Sequence, residues 1–183
     1  ELEIEPIQVV IPATHDTAAA VAGIPISEAD KSWGFVSLGT WALAGIENAE
    51  PICDLRMVPL EFGNEGGTFG TTMILKNLNG MWIIQQCRKR WILDQGEDIS
   101  WDEIVRQAKE ARVMDSVIDI DDERFGAVQN NMPKVVSDFC RETGQEIPGT
   151  LGEIAACVYK SLALEIRDSF DGIMGILEKK LDL

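Results

Sequence analysis

PATHDTAAAV, residues 12–21, and SLGTWALAG, residues 37–45, decide the reading of this chain. An apolar run (Val9, Val10, Ile11) stops at Pro12, and a helix of small residues (Ala18, Ala19, Ala20, Val21) begins beyond it. Asp16 therefore falls where a strand hands over to a helix. Thr14 is placed to cap that helix, and the free N–H groups of the first turn favour an ionised, proton-accepting Asp16. A carboxylate that merely caps or pairs with the helix dipole has the same spacing, so position alone leaves both readings open. The second stretch reads as two β-rich runs, 34–38 and 40–46, joined at Gly39-Thr40 into a hairpin. Such a tip offers backbone N–H groups and a threonine hydroxyl to a phosphate with no side chain in the way.

Outward from this pair, residues 53–62 alternate enough for another strand, and GNEGGTFG, 63–70, is a glycine-dense stretch. Four glycines in eight residues fit a wide turn or an active-site loop equally well. A helix is expected over about 77–94, with Gly80, Ile83, Ile84, Cys87 and Trp91 as its apolar stripe. On that helix Asn77 and Gln85 share one face, ~12 Å apart. Arg88, Lys89 and Arg90 read as its solvated side. Ser100 and Glu103 form a capping box opening a helix to about 112. DSVIDIDDER, 115–124, reads as an acidic connector carrying a short strand; it lacks the glycine and terminal glutamate of a calcium loop. Helices over 133–143 and 151–181 complete the chain, the last with Gly172 and Gly175 as weak points.

Composition narrows the function. The 183 residues suffice for one domain with a core, and 45% hydrophobic with 26% charged residues is globular usage. A net charge of −15 argues against a nucleic-acid partner. No run is long enough for a membrane helix and the start lacks signal-peptide features, so no membrane partner and a cytoplasmic location are expected. The absent initiator methionine fits a chain that starts inside a longer protein. Four cysteines without C-x-x-C spacing and a single histidine give no zinc site, and no metal ligand set is expected. Cys53 and Cys87 read as small buried apolar residues.

HDTAAAV, SLGTWALAG, NEGGTFGTTMILKNLNGMWIIQQC and CRETGQEIP together resemble the carbohydrate kinases of the FGGY family, most closely those acting on L-rhamnulose. The resemblance covers nearly the whole chain. It implies an α/β unit that is part of an actin-like, ribonuclease-H-like ATPase domain. Residues 1–183 would form a single domain within the C-terminal lobe of a two-lobed sugar kinase. The N-terminal lobe, a partner in the same protein, and a final glycine-rich adenine-binding segment would lie outside the chain. The implied reaction is ATP-dependent phosphorylation of a sugar hydroxyl, with Mg²⁺, in rhamnose catabolism. A kinase for another ketose or pentulose, or a non-catalytic actin-like binding module, are the alternatives. Asp16 would be the catalytic base; His15, Thr17 and Asn77 would join it at the sugar. Gly39, Thr40 and Gln85 would bind ATP. The resemblance also makes a disulfide between Cys140 and Cys157 conceivable.

Overall fold

The computed structural model describes residues 8, 15–26, 32–178, 180 and 181. The expected strand at 9–11 and the capping Thr14 lie outside the described residues. Four antiparallel strands, β1 (Gly34–Leu38), β2 (Ala42–Asn48), β3 (Gly63–Gly66) and β4 (Thr72–Leu78), form one sheet in the order β1-β2-β4-β3. Among the described residues six helices accompany it: α1 (Asp16–Ala22), α2 (Trp82–Gln95), α3 (Trp101–Glu110), α4 (Glu123–Gly126), α5 (Met132–Glu142) and α6 (Leu151–Leu177).

Side chains alternate across the sheet, so each strand feeds two cores. Ala42, Ala44 and Leu78 face a helical layer in which Ile83, Ile84 and Cys87 of α2 meet Ile154, Val158 and Leu162 of α6. Ile46 and Ile74 continue that face against Ile173 and Ile176 of α6. On the opposite face Phe35, Met73 and Leu75 pack beneath Ala18 and Val21 of α1. Small residues in β2 let both layers approach closely, which explains why the sheet is buried on both sides there.

Several local expectations give way. The expected helix from 77 begins only at Trp82, because TMILKNL pairs along its whole length with β2 and partly with β3. A short apolar run is compatible with either element, and the available strand partners decide it. Residues 53–62 form no strand: a 3-10 turn, Leu55–Met57, is nucleated by Asp54, whose carboxylate accepts from Arg56 N at 2.8 Å. Half of the glycine-dense stretch is strand β3, anchored where Asn64 exchanges hydrogen bonds of 2.8 and 2.9 Å with the main chain of Ile52. The acidic connector carries no strand, since side chains replace the ladder. Ser161 Oγ accepts from Ile118 N at 2.8 Å, and Gln145 bonds both N and O of Val117 at 2.9 and 2.8 Å.

Other boundaries shift by a few residues. Thr40 lies in the turn, β2 starting at Ala42. Ser100 caps α3 as expected, but the helix ends at Glu110, and Glu103 turns its carboxylate to Arg106 and Gln107. The last helix runs through Gly172 and Gly175 and stops at Leu177, where Glu178 adopts φ 53°. Of the three consecutive basic residues only Lys89 is exposed; Arg88 reaches back to Ile99 O at 2.6 Å.

The cysteines divide differently from the sequence reading. Cys87 is buried, as expected, but Cys53 is exposed. Cys140 and Cys157 are free thiols in hydrogen-bonding contact across α5 and α6, and burial pushes the Cys157 thiol up to about 12.

The start of α6 is held by a reciprocal cap, Thr150 Oγ1 accepting from Glu153 N and Glu153 from Thr150 N. The N–H groups of Gly149 and Thr150 hold the Glu153 carboxyl down at about 2. A depressed carboxylate contributes stability that is present above the unfolded value of about 4.3 and lost as pH falls toward about 2. Glu153→Gln is therefore expected to lower stability at neutral pH and to flatten the acid limb across that window, as read by denaturant titrations at several pH values. An acid limb as steep as in the parent would contradict the assignment.

Candidate active site

The turn between β1 and β2 is joined to the start of α2 by main-chain bonds. Gly39 N donates to Trp41 O at 2.9 Å, Met81 N to Gly39 O at 2.8 Å and Trp82 N to Thr40 O at 3.0 Å. Gly80 makes this possible: a Cβ there would stand 2.6 Å from Ala42 N and 2.7 Å from Gly39 O. The outer side of the turn is open, since a Cβ on Gly39 would meet only Trp41 O, at 3.4 Å. Thr40 is exposed, and its Oγ1 lies 3.3 Å from both polar atoms of the half-buried Gln85 side chain. Two residues that the sequence reading gave to one ligand, 45 positions apart, thus meet.

Asn77 takes a different place from the one expected. It lies on β4, exposed, opposite Leu43, and not on a helix face with Gln85. Strand alternation puts it on the face of Met73 and Leu75, the face that α1 covers. Its neighbour Leu78 pairs with Ala42, next to the Gly39–Trp41 contact, so Asn77 sits near the end of the sheet that carries the turn.

At the head of α1 the cap is His15, whose Nδ1 accepts from Ala18 N at 3.3 Å. Asp16 follows as the first helical residue, its side chain fully exposed, with Oδ1 accepting from Thr17 N at 2.8 Å and lying 4.0 Å from His15 Nδ1. Thr17 is buried. On its other side His15 Nε2 lies 3.4 Å from Glu65 Oε2 of β3. Cross-strand pairing of Glu65 with Met73 puts it on the α1 face too. Sequence reasoning missed Glu65 because it sat in a run read as turn or loop, and Gly80 because it was counted within a helix stripe.

The other face is structural. Lys76 Nζ is 2.9 Å from Glu165 and 3.6 Å from both Glu61 and Asp121. Burial works against its charge, yet the three carboxylates raise its ammonium above the usual range, while burial pushes the Asp121 carboxyl up. A cavity of about 540 Å³ between β1 and the end of α6, lined by Trp33, Phe35, Phe170 and Leu181, contains none of the site residues. Among the described residues there is no group of three or more His, Cys, Asp or Glu able to hold a metal ion. None of the helices among them is long and apolar enough to cross a membrane.

Residues 34–178 match the model of the C-terminal domain of the FGGY family of carbohydrate kinases. The mixed helical and antiparallel architecture is accordingly part of an actin-like ATPase domain. Over 176 residues, 96% of this chain, the sequence is 35% identical to a rhamnulokinase of Bacteroides thetaiotaomicron. It is 38% identical over its full length to the rhamnulokinase of Lactiplantibacillus plantarum, and 35% identical over 93% of its length to that of Bacillus subtilis. The aligned part is only 35%, 36% and 34% of those three proteins respectively, so the chain spans about a third of the relatives it matches.

Proposed function

The chain belongs to the FGGY family of carbohydrate kinases, and on that premise we propose that it supplies one wall of the active site of an ATP-dependent kinase for L-rhamnulose. The names of the relatives support the sugar. The observation that carries the site is the meeting of Thr40 with Gln85 on a turn whose outer side is open. The product is L-rhamnulose 1-phosphate, formed in the cytoplasm in rhamnose catabolism, and the remaining lobe of the same polypeptide closes the cleft.

In this reading Asp16 accepts the proton of the sugar hydroxyl as that oxygen bonds to the γ-phosphorus and the bond to ADP breaks. General-base help of this kind is worth ~10² to 10⁴ in rate. Nothing crowds the Asp16 carboxylate, and the Thr17 amide fixes one of its oxygens. His15 and Asn77 orient the sugar; Thr17, being buried, contributes chiefly that amide. The Gly39-Thr40 main chain and the Thr40 hydroxyl hold phosphate oxygens, and Gln85 is released from Thr40 to face the nucleotide. Mg²⁺ would be held by the phosphates of the nucleotide and would supply neutralisation of the charge that develops on them. A two-electron oxidant such as a peroxide would join the neighbouring thiols of Cys140 and Cys157 as a disulfide, with loss of both thiol protons.

Two measurements test the proposal. A panel of ketoses and pentuloses offered to the complete protein with ATP is expected to give the highest kcat/KM with L-rhamnulose; a clear preference for another sugar would overturn that assignment. Gly39→Val tests the phosphate turn. Its backbone is not in the left-handed region and a Cβ fits, so stability should hold while KM for ATP rises more than KM for the sugar. Unchanged ATP binding by calorimetry would remove the turn from the nucleotide site.

A further inference from the structure

The stretch Asn64-Glu65-Gly66-Gly67 has no part in the reaction as described, yet it carries a carboxylate, that of Glu65, which approaches the His15 ring from the sheet. His15 has two ring nitrogens with separate tasks. Nδ1 accepts from Ala18 N at 3.3 Å, which leaves the ring proton on Nε2, and Nε2 lies 3.4 Å from Glu65 Oε2. The ring therefore bridges the first turn of α1 and strand β3, and Asp16 is the next residue along the chain. The exposed Asp16 carboxylate has few holds of its own, so the ring that caps its helix sets where it stands.

Glu65 is itself well braced. On one side the Asn64 side chain clamps Ile52 through bonds of 2.8 and 2.9 Å. On the other, Gly67 N donates to Thr71 O at 2.9 Å, and the Thr71 hydroxyl lies 2.7 Å from Thr68 O and 2.5 Å from Glu47 Oε1. A Cβ on Gly67 would come within 2.3 Å of that hydroxyl, so the hairpin closes tightly at its base. The carboxylate is thus presented from a fixed platform to a seven-residue helix that has little stability of its own.

We propose that Glu65 is a positioning residue for the sugar site: through His15 it fixes the first turn of α1 and hence the place of Asp16. The inference rests on the kinase reading for its kinetic consequence but not for its structural one. Misplacing a catalytic group by about 1 Å can cost ~10² in rate, and that is the scale at stake. Gln at 65 keeps a polar oxygen facing Nε2, 3.4 Å away in the parent, whereas Ala removes it.

The test compares Glu65→Ala and Glu65→Gln in the complete protein by amide hydrogen exchange and by steady-state kinetics. With Ala, the peptide carrying α1 should exchange several-fold faster, and kcat/KM for the sugar should fall ~10-fold or more with KM for ATP within about twofold. With Gln, both should return most of the way to the parent. An Ala variant with parental exchange at α1 overturns the proposal, as does one whose sugar and ATP parameters fall together or not at all. If the complete protein phosphorylates no sugar, the kinase reading fails, and exchange at α1 alone decides whether Glu65 holds that helix.

Discussion

Asp16→Asn in the complete protein should lower sugar phosphorylation by ~10² or more while the fold and ATP binding persist. The substitution keeps size and shape and removes only the capacity to accept a proton. Asp16 is fully exposed and touches no core residue; its side-chain bond is local, 2.8 Å from the Thr17 amide, and an amide oxygen can accept it equally. The loss should therefore fall on kcat, with KM for both substrates little changed, as when an interaction made only in the transition state is removed. Asp16→Glu, which keeps the carboxylate but moves it outward by one methylene, should retain more of the rate than Asp16→Asn. Parental turnover by the folded Asp16→Asn variant would remove Asp16 from catalysis.

The second large effect is expected at Gly80. Adding one methyl group places a carbon 2.6 Å from Ala42 N and from Trp41 C, and 2.7 Å from Gly39 O. All three are backbone atoms in the turn that carries Thr40, and none can rotate away. Gly80→Ala must push the turn from α2, straining the bonds from Met81 N and Trp82 N to Gly39 O and Thr40 O. Overpacking of this kind costs about 1–3 kcal/mol, which calorimetric unfolding should show as a lowered Tm. Because the displaced turn is also the proposed phosphate site, KM for ATP should rise in the protein that remains folded. The pairing with Gly39→Val is informative: one glycine is required by packing and the other, with its open outer side, by the ligand.

Part of the order of these elements is legible from sequence, but β3 and β4 are not: residues 63–70 read as a turn or loop, and no strand is expected over 72–78. Hairpin, cap and buried helix stripes follow from local chemistry: Ser100 caps the helix it precedes, and Gly39-Thr40 turns the chain. What was not legible depends on partners distant in sequence. Residues 72–78 are apolar enough for helix or strand, and β2 settles the matter by pairing with all of them. Residues 115–121 look like a strand with apolar alternation, but Ser161 and Gln145 satisfy their backbone instead. The contact of Thr40 with Gln85 and that of His15 with Glu65 join separate elements, so no local pattern could place them. The role of His15 as the cap of α1 is not legible in the sequence, because Thr14 beside it offers a more usual capping side chain.

If this chain is one wall of a kinase cleft, the most direct test assays the complete protein and the isolated 183-residue chain side by side with ATP and L-rhamnulose. Phosphoryl transfer needs the nucleotide, the attacking hydroxyl and the base held together within ~3.5 Å of in-line geometry. The complete protein should form ADP and a sugar phosphate in equal amounts, and the isolated chain neither; its ATP affinity should be no tighter than roughly millimolar, ~4 kcal/mol of binding. Sugar phosphorylation by the isolated chain, or none by the complete protein with any ketose, would contradict the account.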